Sequence, residues 1–246
     1  MDALYGNYRE DAYLEARQHW EPWYRKGANE ATAPGSAVTA DRVKFLDALL
    51  EKFDLRKLGV VVDFGGDMGQ FFPAAAMTRY LLDPSDRQVV DGVVRITSWA
   101  KLPSPPDLVI VAHVLEHVND PAALLAEVRR ELPEGGYLYV EVPLDMPRLR
   151  PWHSSSGYAH WIHRLRRHRL LFILLDFYSG LCRNFGLRVP RLGVVKQSEH
   201  INYFSSRSLV ALLPSNGFRL LGSLEDRDFR VGRLRMGRLG VLAVAE

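Results

Sequence analysis

The stretch DLVIVAHVLEHVNDPAALLAEVRRELPEGGYLYVEVP, Asp107 to Pro143, decides the fold class. Leu108 to Ala112 is a short, wholly apolar run, the pattern of a strand covered on both faces. Pro121 to Leu132 has the spacing and proline start of a helix. The turn Glu134-Gly-Gly136 leads into a second strand, Tyr137 to Val142, which Pro143 stops. A strand, a helix and a strand in this order form a crossover unit, which implies a mostly parallel sheet.

Upstream, Leu58 to Phe64 is a β-branched apolar run and reads as the first strand. The glycine-rich turn Gly65-Gly-Asp-Met-Gly69 follows, and a helix is expected from about Gln70. Further strands are expected over 78–82, ending at Asp83, and over 92–96. Before the first strand, residues 5–26 read as helical and 29–37 as a linker. A helix through about Phe53 is expected next, capped by Asp41 and burying Val43, Phe45, Leu46, Leu49 and Leu50. Downstream, residues 144–198 break the rhythm like an inserted lid. A helix over 205–213 and strands over 218–224 and 238–245 would close the sheet.

The chain of 246 residues is 47% hydrophobic and 25% charged, ordinary globular proportions that support a core without staples. Its single cysteine, Cys182, excludes an internal disulfide. The start MDALYGNYRED lacks the basic, apolar pattern of a signal peptide, and Leu170 to Leu175 is far too short to span a bilayer. A cytoplasmic enzyme is expected. The formal net charge of +3 is clustered in residues 160–169 and in five arginines from Arg227 to Arg238. A solvated helix face and a charged hairpin explain these clusters more simply than nucleic acid. Membrane contact by Leu170 to Leu175 beside the basic helix is a lesser alternative.

Glycines between a first strand and the next element let the backbone adopt positive φ and approach a ligand. The spacing Asp63-x-Gly65-x-Asp67-x-Gly69 is not G-x-G-x-x-G, so it argues poorly for a pyrophosphate. Asp83, at the end of the second strand, suits the hydroxyls of a ribose. It also suits a plain turn cap in Asp-Pro-Ser.

VVDFGGDMGQF, YLLDPSD, the 107–143 stretch and EHINYFSSRSLVALLPSNGFRLL resemble, in order, the motifs of class I S-adenosylmethionine-dependent methyltransferases. The resemblance covers about residues 58–143 and 199–224. It implies a Rossmann-like α/β fold: a mostly parallel seven-stranded sheet, helices on both faces and an inserted lid. The chain then divides into a helical cap (1–40), a cofactor-binding core (41–143), a lid (144–198) and a closing part of the core sheet (199–246). By the resemblance, Asp63, Gly65, Gly66, Asp67 and Gly69 would line the methionine part of S-adenosylmethionine. Asp83 and Pro84 would lie at the ribose, Thr97, Ser98 and Trp99 at adenine, and Ala112 and His113 at the sulfonium. The family usually has glycine where Asp67 stands, so Asp67 either pairs with the ligand or crowds the turn.

Methyl transfer needs two reactants held at attack distance and, for a hydroxyl acceptor, a base. His117, Glu116 and His200 are the catalytic candidates. His113, Glu116, His117 and His200 are also the candidates for a divalent metal, because H-x-x-E-H resembles the E-x-x-E-H of metal-dependent O-methyltransferases. The metal-free base is the preferred reading. His153, Tyr158, Trp161 and Tyr203 are candidates for binding the acceptor, since aromatics with polar tips suit a sugar or ring. The expected activity is O-methylation of a small molecule such as a glycan, sugar or secondary metabolite. N-methylation is the alternative, followed by RNA modification or noncatalytic cofactor binding. Homo-oligomerisation stays open.

Overall fold

The computed structural model describes residues 11–22, 32–144, 155–185, 200, 202–231, 234–235 and 237–246. The elements are α1 (Asp11–Trp20), α2 (Ala37–Glu51), β1 (Leu58–Phe64), β2 (Ala76–Leu82), β3 (Val93–Ile96), β4 (Leu108–Ala112), α3 (Pro121–Glu131) and β5 (Tyr137–Pro143). They continue with α4 (Ser155–Arg166), α5 (Arg169–Asn184), α6 (Ser206–Leu212), β6 (Phe218–Asp226), the short pair β7 (Arg230–Val231) and β8 (Leu234–Arg235), and β9 (Arg238–Ala245). One sheet has the order β3-β2-β1-β4-β5-β9-β6. Its first five strands are parallel, and β9 runs antiparallel to both β5 and β6. This is the Rossmann-like, mostly parallel seven-stranded sheet expected from the sequence.

The alternation of side chains along β1 feeds two cores. Val60 and Val62 join Val109, Val111, Leu138 and Val140 on one face, under Leu124, Leu125 and Val128 of α3 and Leu209 of α6. Val61 joins Leu108 and Ile110 on the other face, under Leu46, Leu49 and Leu50 of α2. Strand order reverses between β1 and β4, and the carboxyl ends diverge there into a crevice. The Asp120 carboxylate fixes the start of α3 below that crevice by accepting the N–H groups of Ala122 and Ala123, each at 3.0 Å.

Two expectations need correction. Residues 70–75 form a loop, not a helix. Pro73 lacks an amide proton and biases Phe72 towards extended backbone, so no turn propagates. Phe71 and Phe72, 3% and 7% exposed, pack into the second core instead. The second correction concerns α2, which begins four residues ahead of Asp41. Ser36 caps it, its Oγ accepting the Thr39 N–H at 3.1 Å. Asp41 lies inside the helix and pairs with Arg238 at 2.6 Å.

No helix among the described residues is long and apolar enough to cross a membrane. Leu125 is fully buried between α3 and the sheet. Leu125→Ala should lower the unfolding free energy by about 2–5 kcal/mol, read from the urea midpoint at unchanged slope.

Candidate functional site

A cavity of about 950 Å³ opens at the carboxyl ends of β1, β2 and β4. The glycine turn forms its floor. Gly65, Asp67 and Gly69 all have positive φ, at 73°, 60° and 72°. Asp tolerates this region better than most side chains. A Cβ at Gly66 would fall on the Asp63 carboxylate, so that position must be glycine for the buried acid to lie beneath the turn.

Asp67 does not crowd the turn. Its carboxylate takes a 2.6 Å bond from Arg87 Nη1. Its N–H donates to Asp83 Oδ2 at 2.9 Å, and Ser85 N–H donates to Asp83 Oδ1 at 2.8 Å. Arg95 staples the same two loops. Its Nη2 donates to the Asp67 carbonyl at 3.1 Å and to the Arg87 carbonyl at 2.6 Å. Asp83 is therefore both a turn cap and a cavity-lining acid. On the next wall, Trp99 stacks on Phe64 with ring centroids 5.8 Å apart. Its Nε1–H donates to Glu127 at 2.9 Å, which fixes a flat apolar surface.

Asp63 is 1% exposed, lines the cavity, and neither of its carboxyl oxygens has a hydrogen-bond partner among the described residues. Burial pushes it up to about 8, opposed by Arg42 and reinforced by the acids Asp83, Asp67 and Glu141. Near neutral pH such a carboxyl is held protonated and neutral beneath the glycine turn.

A buried charge chain lies beside it. His113 directly follows β4, with φ of 59°. Its Nδ1 lies 3.0 Å from Glu116 Oε1 and its Nε2 3.1 Å from Glu141 Oε1. Both contacts can be hydrogen bonds only if both nitrogens carry protons. Burial and the Arg42 guanidinium oppose that charge, but the two carboxylates overcome them and raise the imidazole above the ordinary histidine value. Burial would raise Glu116, yet His113 and the neighbouring histidines hold it at about 2. Glu141 is likewise held at about 2 against burial, by Arg42, His113 and Tyr139. Arg42 Nε donates to Glu141 Oε1 at 2.9 Å, and Tyr139 OH donates to Oε2 at 2.8 Å.

His117 follows on the cavity wall. Its ring meets that of His200 edge to face, 4.9 Å between centroids. Asn202 brings the closing region there. Its N–H donates to the Glu116 carbonyl at 3.0 Å, and its Nδ2 donates to the Leu115 and Val118 carbonyls. Glu116, His117 and His200 offer ligand atoms within 4.8 Å of one another, a geometry able to hold a metal. His113 stands apart from that group, because both its ring nitrogens face carboxylates.

Of the sequence-predicted residues, the cavity gathers Asp63, Gly65, Gly66, Asp67, Asp83, Pro84, Thr97, Ser98, Trp99, Ala112, His113 and His117. Gly69 lies behind the wall against Val93. Glu116 is buried behind His113, and His200 reaches the site through His117. Trp161 and Tyr203 are not among the lining residues. His153 lies outside the described residues, and Tyr158 is described only as part of the α4 backbone. Sequence reasoning missed Arg42, Arg87, Arg95, Glu141 and Asn202. A charge inside an apolar strand, such as Glu141 in Tyr-Leu-Tyr-Val-Glu-Val-Pro, is the signal that could have exposed one of them.

The family model described as a methyltransferase domain matches residues 38–222. The fold is similar to that of magnesium protoporphyrin IX methyltransferase from Synechocystis PCC 6803, solved with bound S-adenosylhomocysteine. The identity is 15%, the match covers 100% of this chain and 99% of that one, and the TM-score is 0.56. It is also similar to N-methyltransferase NodS from Bradyrhizobium japonicum WM9, solved in complex with S-adenosylhomocysteine. There the identity is 11%, coverage is 96% and 99%, and the TM-score is 0.50. No curated protein matches by sequence. The chain belongs to the methyltransferase domain family.

Two outcomes follow from the charges. His113→Asn keeps a residue that tolerates positive φ but strands two buried carboxylates. It should cost about 3–5 kcal/mol in chemical denaturation, more than a cavity-lining surface histidine would. Asp63 releases its proton near pH 4 when unfolded and near 8 when folded. Between these values the native state holds the extra proton, so stability falls as pH rises. Asp63→Asn should flatten the decline of Tm between about pH 5 and 8, and an unchanged slope would clear Asp63 of this role.

Proposed function

We propose that this member of the methyltransferase family uses S-adenosylmethionine to O-methylate a small hydroxylated acceptor, with His117 as the base. The observation that carries the reading is the place of His117: on the cavity wall at the carboxyl end of β4, edge-on to His200. His113 is the nearer ring to the strand end, but both its nitrogens are committed to carboxylates.

The cavity suits the cofactor on its own chemistry. Asp63 is a buried acid whose carboxyl, on giving up its proton, would pair with an ammonium group. Gly65 and Gly66 bring backbone close without side chains in the way. Asp83 presents a carboxylate for ribose hydroxyls, and Trp99 with Thr97 and Ser98 offers a flat wall for a base. When bound, S-adenosylmethionine supplies an electrophilic methyl group on a positive sulfur. The chain holds the acceptor oxygen in line, and His117 takes the hydroxyl proton as that oxygen becomes nucleophilic. The edge-to-face contact of His200 supports a role in fixing the His117 ring. Glu116 Oε1 lies 3.9 Å from His117 Nε2, on the same side of the site. His113 is a positioning residue, holding Glu116 and Glu141 at the strand end.

The test combines calorimetry with turnover on hydroxyl- and amine-bearing acceptor panels. S-adenosylhomocysteine should bind, and Asp83→Ala should weaken that binding about tenfold or more. His117→Ala should leave the affinity intact and lower kcat on the hydroxyl acceptor by about 10²-fold or more. Retained kcat in His117→Ala, with preference for a neutral amine, would move the assignment to N-transfer. Loss of activity in EDTA would replace the base with a metal at Glu116, His117 and His200.

A further inference from the structure

The helix α5 is built inside out for a helix in water. Its polar residues Asp176 and Ser179 are 4% and 1% exposed. Several large apolar residues point the other way, while Phe172 and Cys182 face inwards. Leu170 is 74% exposed, Leu174 64%, Phe177 and Tyr178 49% each, Leu181 38%, and Phe185, just past its end, 75%. Positions 170, 174, 177, 178, 181 and 185 follow the helical repeat, so they form one continuous stripe. A stripe of this kind on a soluble surface marks a contact.

The chemistry at its amino end selects the contact. His160, His163, Arg164, Arg166, Arg167, His168 and Arg169 are all exposed. Between residues 160 and 185 the one acid is Asp176, which is buried. A second copy of this chain, docked through the same face, would cover the stripe but has no exposed carboxylate on the hairpin to answer the basic end. A surface of phosphate headgroups over acyl chains answers both halves, the stripe and the cluster. The sixteen residues of α5 make a helix of about 24 Å, shorter than the hydrocarbon core, so it lies along the surface.

Anchors to the rest of the fold keep the stripe turned outwards. Trp20 of α1 meets Phe172 edge to face at 5.3 Å, and Arg166 covers the same Trp20 ring. Arg169 Nε donates to the His19 carbonyl at 2.8 Å.

We propose that the α4–α5 hairpin docks on an anionic phospholipid bilayer, with the stripe in the acyl boundary and the basic end over the headgroups. The inference is independent of the reaction assigned above. The test is flotation of the full chain with vesicles of phosphatidylcholine alone and of phosphatidylcholine with phosphatidylglycerol in equal parts. The expected result is binding to the anionic vesicles, weakened by added salt. The double variant L174E/F177E should lose binding at least about tenfold, and R164E/R167E should lose the preference for anionic lipid. Both pairs are exposed, and unchanged Tm would confirm that the fold survives. Absent binding, or equal binding to neutral vesicles, overturns the proposal. So does a dimer in light scattering that L174E/F177E disperses, which would assign the stripe to a second copy.

Discussion

His113 between Glu116 and Glu141 is the constraint on which the site depends. One ring joins the end of β4 to the middle of the loop that follows and to the neighbouring strand β5. Because the ring must sit with φ positive, the chain turns sharply there, and Glu116 is drawn inwards while His117 is left on the cavity wall. The arrangement costs desolvation of two carboxylates and one imidazolium. Arg42 and Tyr139 complete the hydrogen bonding that makes such burial tolerable. Removing any one charge leaves the others uncompensated, so this cluster behaves as a unit.

The fold was legible where local and tertiary preferences agree. From Asp107 to Pro143, apolar runs, a proline at the helix start and a Gly-Gly turn all point to the same elements, and those elements form. After Gly69 they disagree. A glycine turn following a buried strand suggests a helix, but Pro73 and the hydrophobic demand of Phe71 and Phe72 produce a packed loop. The cap of α2 was misplaced because Ser36 and Asp41 are both good caps. Asp41 has a distant partner, Arg238, that no local pattern reveals.

The site divides the same way. Asp83 and His117 could be named because the sheet's polarity puts the strand ends and the loops after them together, and Asp63 because its motif resembles that of the family. The supporting charges could not. Arg42 comes from a helix 99 residues ahead of Glu141, and Asn202 lies 84 residues beyond Val118. Their roles arise only when the closing region folds back. Asp67 shows the reverse: standing where the family usually has glycine, it is accommodated by an αL-tolerant backbone and by Arg87.

Asp63 has a thermodynamic consequence for any ligand that brings a cation to the glycine turn. Near neutral pH the buried carboxyl holds its proton, because burial outweighs Arg42. A positive group settling against it reverses that balance and sends the proton to solvent. The heat of such an encounter includes the ionisation enthalpy of whatever buffer accepts the proton. Apparent affinity therefore climbs with pH until the carboxyl has already ionised.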